Sequence, residues 1–455
     1  MQRMSHEQAH VTEAIIKAHQ TAEQLVVFRR VLNDPIGRSF LVLLEVLSKG
    51  VARSFRPDLL ETRAATAPEH SRGKEGDGAL RVYARMVDLL AQEVELGTAP
   101  VVGDAWQNHL IDRILADDNT FSRKAEWVDL GEMGPSLRQA ITQDLRRLHQ
   151  LYHLTGETLK QAVVYVAGFM PDTPLLSLDG FCPLSCHRYQ MLTDSFPPER
   201  GRRAEMKKTL AASPDWAKCV PDLARYYADT GAGVFGQYRA FRWVHRGLQG
   251  HLEGVSDPDP VRLEDLVGYE SERETILRNT EQFVAGHQAN NVLLYGDRGT
   301  GKSSTVKALL WEFGHRGLRL VEVSKRHLVD LPRILHLLRR HPQRFIIYVD
   351  DLSFEDGEHY QDLKSLLEGS LQGYPSNVLI YATSNRRHLV REYFRDRIPP
   401  QVEDEIRRQD TMEEKLSLAD RFGITVVFAS PDQEGFLKIV EKLADHHRLS
   451  IDRGE

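Results

Sequence analysis

Hydrophobic positions divide the chain into two kinds of pattern. Up to about residue 250, apolar residues recur at three- and four-residue spacing. The runs are Ala14 to Val31, Phe40 to Leu47, Leu80 to Val94, Trp106 to Leu115, Leu137 to Leu151 and Leu159 to Val166. Such spacing lines one face of a helix with apolar side chains, so the pattern predicts helix after helix. Few stretches alternate with period two, and no fixed-period repeat is evident. Thr62 to Gly78 has almost no large apolar residue and is expected to be a mobile loop. The polar, proline-marked stretch Asp257-Pro258-Asp259-Pro260 is the expected boundary after an α-helical region of residues 1–255.

Beyond that boundary a helical pattern over Glu270 to Phe283 gives way to alternation. Short apolar runs at Val292 to Tyr295, Leu318 to Val323, Phe345 to Val349, Val378 to Thr383 and Ile424 to Phe428 are interleaved with helical patterns around Leu331 to Arg340 and Tyr360 to Leu371. Strand–helix alternation requires crossover connections and predicts a parallel sheet covered on both faces. The fold class expected is therefore α/β, a five-stranded parallel core over residues 262–430 behind a mostly helical N-terminal region. A single helical pattern, Gln433 to Asp445, follows it as a short, partial lid over residues 431–455.

Composition adds limits to this picture. At 455 residues, with 27% charged and 41% hydrophobic positions, the chain is long enough for two or three domains of ordinary globular make-up. Lys plus Arg number 59 against 65 Asp plus Glu, a net charge of −6, and neither part is basic: 28 against 32 from Val261 onward, 31 against 33 before it. Charge therefore does not indicate nucleic acid, although a local patch remains open to it. Only three cysteines, no signal-peptide core, and no apolar run longer than Phe40 to Leu47, itself broken by Glu45, lead to the expectation of a cytoplasmic protein with no membrane span.

Two local patterns carry less than they suggest. Cys182, Cys186, His187 and Cys219 offer donors that suit zinc, but C-x-x-x-C-H with one distant cysteine matches no paired knuckle. The expectation there is buried cysteines acting as small hydrophobes. Gly231 to Gly236 formally reads G-x-G-x-x-G, yet no apolar strand precedes it, so a helix break before Tyr238 to Val244 is the better account.

The chemistry concentrates at the first apolar run of the second half. Val292 to Tyr295 enters a turn, Gly296-Asp297-Arg298-Gly299-Thr300-Gly301, and Lys302, Ser303 and Ser304 then open an amphipathic helical pattern. This is the G-x-x-x-x-G-K-[ST] phosphate-binding loop in its required strand–turn–helix setting. Glycines let consecutive backbone N–H groups wrap a phosphate, and the helix N-terminus adds its dipole. Lys302 supplies a charge for the β and γ phosphates, and the Ser303 hydroxyl a ligand for Mg²⁺.

Two further strand ends extend the site. Phe345 to Val349 runs into Asp350 and Asp351. A carboxylate there suits the metal shell, which assigns Asp350 to Mg²⁺ and leaves Asp351 to polarise the attacking water. Val378 to Thr383 runs into Ser384 and Asn385, whose amide is placed to sense the γ-phosphate and orient that water. Arg386 and Arg387, next along, read equally as phosphate or partner contacts and as a solvated helix start. Arg421, just before the last strand, reads by itself as a surface arginine.

Taken in order, Gly-Asp-Arg-Gly-Thr-Gly-Lys-Ser, Val-Asp-Asp, Ala-Thr-Ser-Asn and Asp-Arg-Phe resemble the AAA+ ATPases. More closely, NNVLLYGDRGTGKSS, DDLSFE, ATSNRRHLV and DRFG resemble a bacterial AAA+ family numbered 815 among the domains of unknown function. The resemblance covers at least Leu263 to Val440. It implies ATP as ligand, Mg²⁺, assembly into a ring or open arc, and a role for Arg421 as an arginine finger reaching a neighbouring subunit. Where AAA+ proteins usually carry glutamate, this chain has Asp351, as helicase-loader relatives do. The function expected is a Mg²⁺-dependent ATPase that remodels a protein or nucleoprotein partner. The alternative is a nucleotide-dependent switch or helicase-loader-like protein with negligible hydrolysis.

Overall fold

The computed structural model describes residues 6–54, 70–97, 100–169, 175–183, 198–247, 249–352, 374–385 and 422–446. It divides into two compact units, Met1–Gly236 and Gln237–Glu455.

The described part of the first unit is helical. Its helices are α1 (His6–Glu23), α2 (Pro35–Ser54), α3 (His70–Glu95), α4 (Ala105–Leu115), α5 (Thr120–Ala125), α6 (Pro135–Tyr152), α7 (Gly156–Ala167), α8 (Pro198–Ala212), α9 (Val220–Thr230) and α10 (Val234–Gln237). Each expected helical run lies on one of these, with one interruption. The run Ala14 to Val31 stops at Glu23, because buried Asp144 of α6 draws the next turn away. Its Oδ2 accepts the backbone N–H groups of Val26, Val27 and Phe28 at 2.7–3.1 Å. Once those donors are bonded to a carboxylate, they are lost to the helical ladder. The expected loop Thr62 to Gly78 is also shorter, since α3 already begins at His70. Ala79, Tyr83, Met86 and Leu90 bury one face of α3, and the helix runs upstream from that anchor through polar positions. Residues 62–69 lie outside the described residues.

One buried charge in this unit makes its stability depend on pH. His109 on α4 is 2% exposed, with Nδ1 2.9 Å from Glu93 and Nε2 3.2 Å from Asp34. Burial by itself disfavours the imidazolium, but the two carboxylates outweigh it and hold the group at about 9. A folded-state value above the unfolded one adds stability that is complete below about pH 6.5 and is lost as pH rises through about 9. Chemical denaturation of the native chain is expected to show a loss of order 3 kcal/mol between pH 6 and 9.5. The loss should be absent in His109→Gln. A native profile as flat as the variant's contradicts the assignment.

The second unit is built on one sheet of seven strands, ordered β2-β1-β4-β5-β6-β3-β7. The strands are β1 (Ala240–Arg246), β2 (Gln249–Val255), β3 (Val292–Gly296), β4 (Leu318–Glu322), β5 (Arg344–Val349), β6 (Val378–Asn385) and β7 (Ile424–Phe428). Strands β3 to β7 are the five expected, and all their mutual pairings are parallel. β5 is almost wholly buried, as its continuous apolar run requires. Helices α11 (Glu270–Val284), α12 (Lys302–Phe313), α13 (Leu331–Leu338) and α14 (Gln433–His446) complete the described part. The helix expected at Tyr360 to Leu371 lies outside it.

The hairpin β1–β2 corrects the sequence reading, which carried helix to about residue 250. β1 pairs in parallel with β4, matching Ala240 to Leu320 and Phe241 to Val321, and turns back near Gly247 at φ +64°. Phe241 and Trp243 lie on alternate positions and are both buried, a period-two signal too short to separate from helical spacing. The hairpin therefore extends the sheet of the second unit upstream of the proline-marked stretch at 257–260.

The strand order fixes where chemistry can collect. β6 lies between β5 and β3, so the C-terminal ends of those three strands are neighbours. In a parallel sheet the crevice beyond those ends is where ligands bind.

Candidate nucleotide-binding site

The loop between β3 and α12 is shaped by close approach as much as by turning. Gly296 has φ +153°, and a Cβ there would lie 1.9 Å from the Phe428 carbonyl oxygen on β7, so the β3–β7 register admits no side chain. At the other end Gly301, at φ +82°, caps α12 and directs the helix's unpaired first-turn N–H groups into the loop. Lys302 is buried, and its Nζ donates to the carbonyls of Gly296 at 2.9 Å and Asp297 at 2.6 Å. Burial lowers the pKa of this ammonium group, against the opposing pull of Asp297, Asp350 and Asp351. The loop is thus held in its wrapped form by Lys302, the residue that the motif assigns to phosphate.

Opposite the loop, the two acids are linked through a residue the sequence reading passed over. Ser303 Oγ donates to Asp350 Oδ1 at 2.8 Å, and Thr383 Oγ1 donates to the same oxygen at 2.6 Å. Thr383 Oγ1 in turn accepts the Asp351 backbone N–H at 3.0 Å. Asn385 Nδ2 donates to Asp351 Oδ1. Burial pushes the Asp350 carboxyl up, but hydrogen bonding by Thr383 and Ser303 outweighs it, and the group lies below the usual carboxylate range. Burial raises the Tyr348 phenol well above its ordinary value, beside Asp350 but without a well-aligned hydrogen bond. Asp351 has φ +51°, a left-handed conformation that aspartate tolerates better than most residues at a cost of about 1 kcal/mol.

The donor set suits a hard divalent cation. Ser303 Oγ and Asp350 Oδ1 are oxygens 2.8 Å apart facing the loop, and Mg²⁺ takes such oxygens together with substrate phosphates.

A cavity of about 250 Å³ adjoins the loop. Gly301, Ser304 and Thr305 of α12 form one wall, and Gly268, Tyr269 and Arg273, at the start of α11, form another. Phe428 and Ile439 of α14 add apolar surface. Tyr269 is itself left-handed at φ +57°. Its ring lies 5.1 Å from that of Phe428, and its hydroxyl donates to the Ala429 carbonyl. Flat, partly apolar walls beside a phosphate loop fit the heteroaromatic base of a nucleotide.

The structure therefore brings together Gly296 to Ser304, Asp350, Asp351 and Asn385. Arg421, Arg386, Arg387, Cys186 and His187 lie outside the described residues. Cys219 is buried as expected, whereas Cys182 is exposed, which corrects the reading that made it a core residue. Among the described residues no group of three or more His, Cys, Asp or Glu is placed to hold a metal. No described helix is long and apolar enough to cross a membrane. Sequence reasoning missed Thr383, although it stands inside Ala-Thr-Ser-Asn. It also missed the base-side wall, whose sole signal is Gly268-Tyr269 immediately before a helix.

Residues 236–455 match the family described as "protein of unknown function (DUF815)". The match covers the second unit throughout and agrees with the resemblance carried by its motifs. No curated protein matches the chain. Among solved structures, the chain is similar to the RuvB Holliday junction branch migration motor of Thermotoga maritima, with 17% identity over 42% of this chain and 56% of that one, at a TM-score of 0.28. It is similar to the Aeropyrum pernix Orc1 protein in complex with DNA, with 17% identity over 42% and 52%, at 0.31. AMPPCP-bound DnaA from Aquifex aeolicus gives 18% identity over 43% and 58%, at 0.28. The chain spans a little over half the length of each of these, and likenesses at such scores carry no argument about what it does.

Proposed function

We propose, with the AAA+ P-loop unit of residues 236–455 as premise, that the protein binds Mg·ATP and hydrolyses it to drive remodelling of a protein or nucleoprotein partner. The observation that carries this reading is the continuous chain of bonds Ser303–Asp350–Thr383–Asp351–Asn385 facing the phosphate loop.

On nucleotide binding, Lys302 exchanges its two carbonyl partners for the β and γ phosphate oxygens, and the α12 N–H groups take the remaining oxygens. Ser303 and Asp350 would hold Mg²⁺, which when bound would supply neutralisation of the phosphate charge. Asp351 accepts the proton of the attacking water while the bond from the γ-phosphorus to its bridging oxygen breaks, leaving ADP and phosphate. Asn385 holds the Asp351 carboxylate and orients the water. Arg421 enters the proposal from the family resemblance, acting in trans in a homo-oligomer to stabilise transition-state charge.

A second reading is a nucleotide-dependent switch or helicase-loader-like protein with negligible hydrolysis. What favours it is that Asn385 already occupies a carboxylate oxygen of a short, left-handed Asp351.

Thr383 separates positioning from binding. Thr383→Val keeps the shape but removes both the donor to Asp350 and the acceptor for the Asp351 N–H. Turnover is expected to fall about 100-fold, the scale of misplacing a catalytic group, while ATP affinity changes little. Thr383→Ser is expected to restore most of the rate. Equal rates in native and Thr383→Val protein contradict the linked-acid arrangement.

A further inference from the structure

The net charge of −6 conceals one locally basic stretch. Between His315 and Arg344 the chain carries eight Lys or Arg and two Asp or Glu. Most of this stretch forms the segment after β4 together with α13. Leu331, Ile334, Leu335 and Leu338 bury one face of α13, so the opposite face must carry the charge. Arg333 and His336 lie on that face, Arg340 follows in the turn just beyond the helix end, and all three are exposed. Arg340 lies beside His336, with Nη2 3.3 Å from Nε2, and Arg333 lies over the Trp243 ring at 5.9 Å. Arg326, also exposed, continues the row towards β1. Arg326, Arg333 and Arg340 have no carboxylate partner among the described residues.

This row runs into a groove of about 430 Å³, lined among others by Trp243, His245, Arg326 and His327. His245 and His327 stack within it, ring centroids 4.5 Å apart and planes at 3°. Asp330 holds two of the lining side chains, accepting from Trp243 Nε1 at 3.0 Å and lying 2.6 Å from His245 Nε2. Unpaired arginines spaced along a surface and ending at stacked planar rings form the combination that grips a single-stranded nucleic acid. Phosphates pair with the charges, and a base extends the stack. An acidic protein needs no planar ring stack. A rigid duplex keeps its bases paired, so none is free to join the stack.

We infer that the β1 edge, the segment after β4 and the outer face of α13 form a binding surface for single-stranded nucleic acid. This names the partner class within the function proposed above. It rests on that reading only for the use made of the grip, because the grip itself is measured without nucleotide.

The test is fluorescence anisotropy of a labelled mixed-sequence 20-nucleotide strand titrated with the full chain, without nucleotide, from 50 to 200 mM salt. The native chain is expected to bind with steep salt dependence. Replacing Arg326, Arg333 and Arg340 together with alanine should weaken binding about tenfold or more at 50 mM salt. It should also flatten the log–log salt slope by about two, at roughly 0.7 per phosphate contact. The corresponding triple lysine variant keeps the charge and should retain most of the affinity, which separates lost contacts from lost folding. No binding by the native chain, equal binding by the alanine variant, tighter binding of the matching duplex, or equal affinity for polyglutamate each overturns the inference. ATP turnover measured on the same variants tests the nucleotide site separately, so either reading can fail alone.

Discussion

Lys302→Ala is expected to bring Mg·ATP turnover down by at least about 1,000-fold and to weaken ATP binding about 10- to 100-fold. Two roles are lost together. The ammonium group is bonded to the loop's own carbonyls, and removing a charged donor aimed at transition-state charge costs about 100- to 1,000-fold in rate by itself. Its hydrogen bonds to phosphate are charge-assisted, at about 1.5–3 kcal/mol, which gives the loss in affinity. The same side chain also ties the carbonyls of Gly296 and Asp297, so the variant's empty loop loses its internal clamp and the rate loss exceeds that of a single donor. Fluorescent-nucleotide titration and phosphate release measure the two effects. Native-like turnover in the variant removes the loop from the chemistry.

Asp350→Asn is expected to act differently on binding while matching Lys302→Ala in rate. The amide keeps the size of the side chain and one oxygen. It loses the charge that Mg²⁺ needs, and its NH₂ can face a hydroxyl donor instead of accepting from it. Thr383 Oγ1 and Ser303 Oγ both donate to Asp350 Oδ1, so an amide nitrogen at that position leaves two hydroxyls to find new acceptors. Turnover should fall by about 1,000-fold or more, on the scale of losing an electrostatic group at a reacting phosphate. ATP binding in the presence of EDTA should be unchanged, whereas the increase in affinity on adding Mg²⁺ should disappear. A variant that still responds to Mg²⁺ like the native chain sinks the assignment of Asp350.

The parts of this site that were legible from sequence are those in which a residue type is demanded by local geometry. Gly296 is forced by the approach of Phe428, Gly301 by its left-handed φ, and Lys302 and Ser303 follow at fixed spacing from the turn. Asp350 was readable because a buried apolar run must end before a charge can stand. What stayed hidden depends on partners distant in sequence. Thr383 looks like one more β-branched strand residue until β6 lies beside β5 and its hydroxyl meets both acids. The basic face of α13 is diluted to nothing in a whole-chain charge count. The helical reading to about residue 250 gives way to a strand because Ala240, Phe241 and Arg242 pair in parallel with β4, a contact outside any local window. Likewise α1 stops at Glu23 on account of Asp144, more than a hundred residues away.

The central claim is that the loop, the paired acids and Asn385 form one working site for Mg·ATP. Phosphate release from Mg·ATP by the native chain, followed against protein concentration, tests it most directly. The expected result is turnover that requires Mg²⁺ and rises faster than linearly with concentration, since the proposed role of Arg421 in a neighbour's site would be met only in the assembled form. Absence of release at every concentration, with no ATP binding in the same samples, contradicts the account.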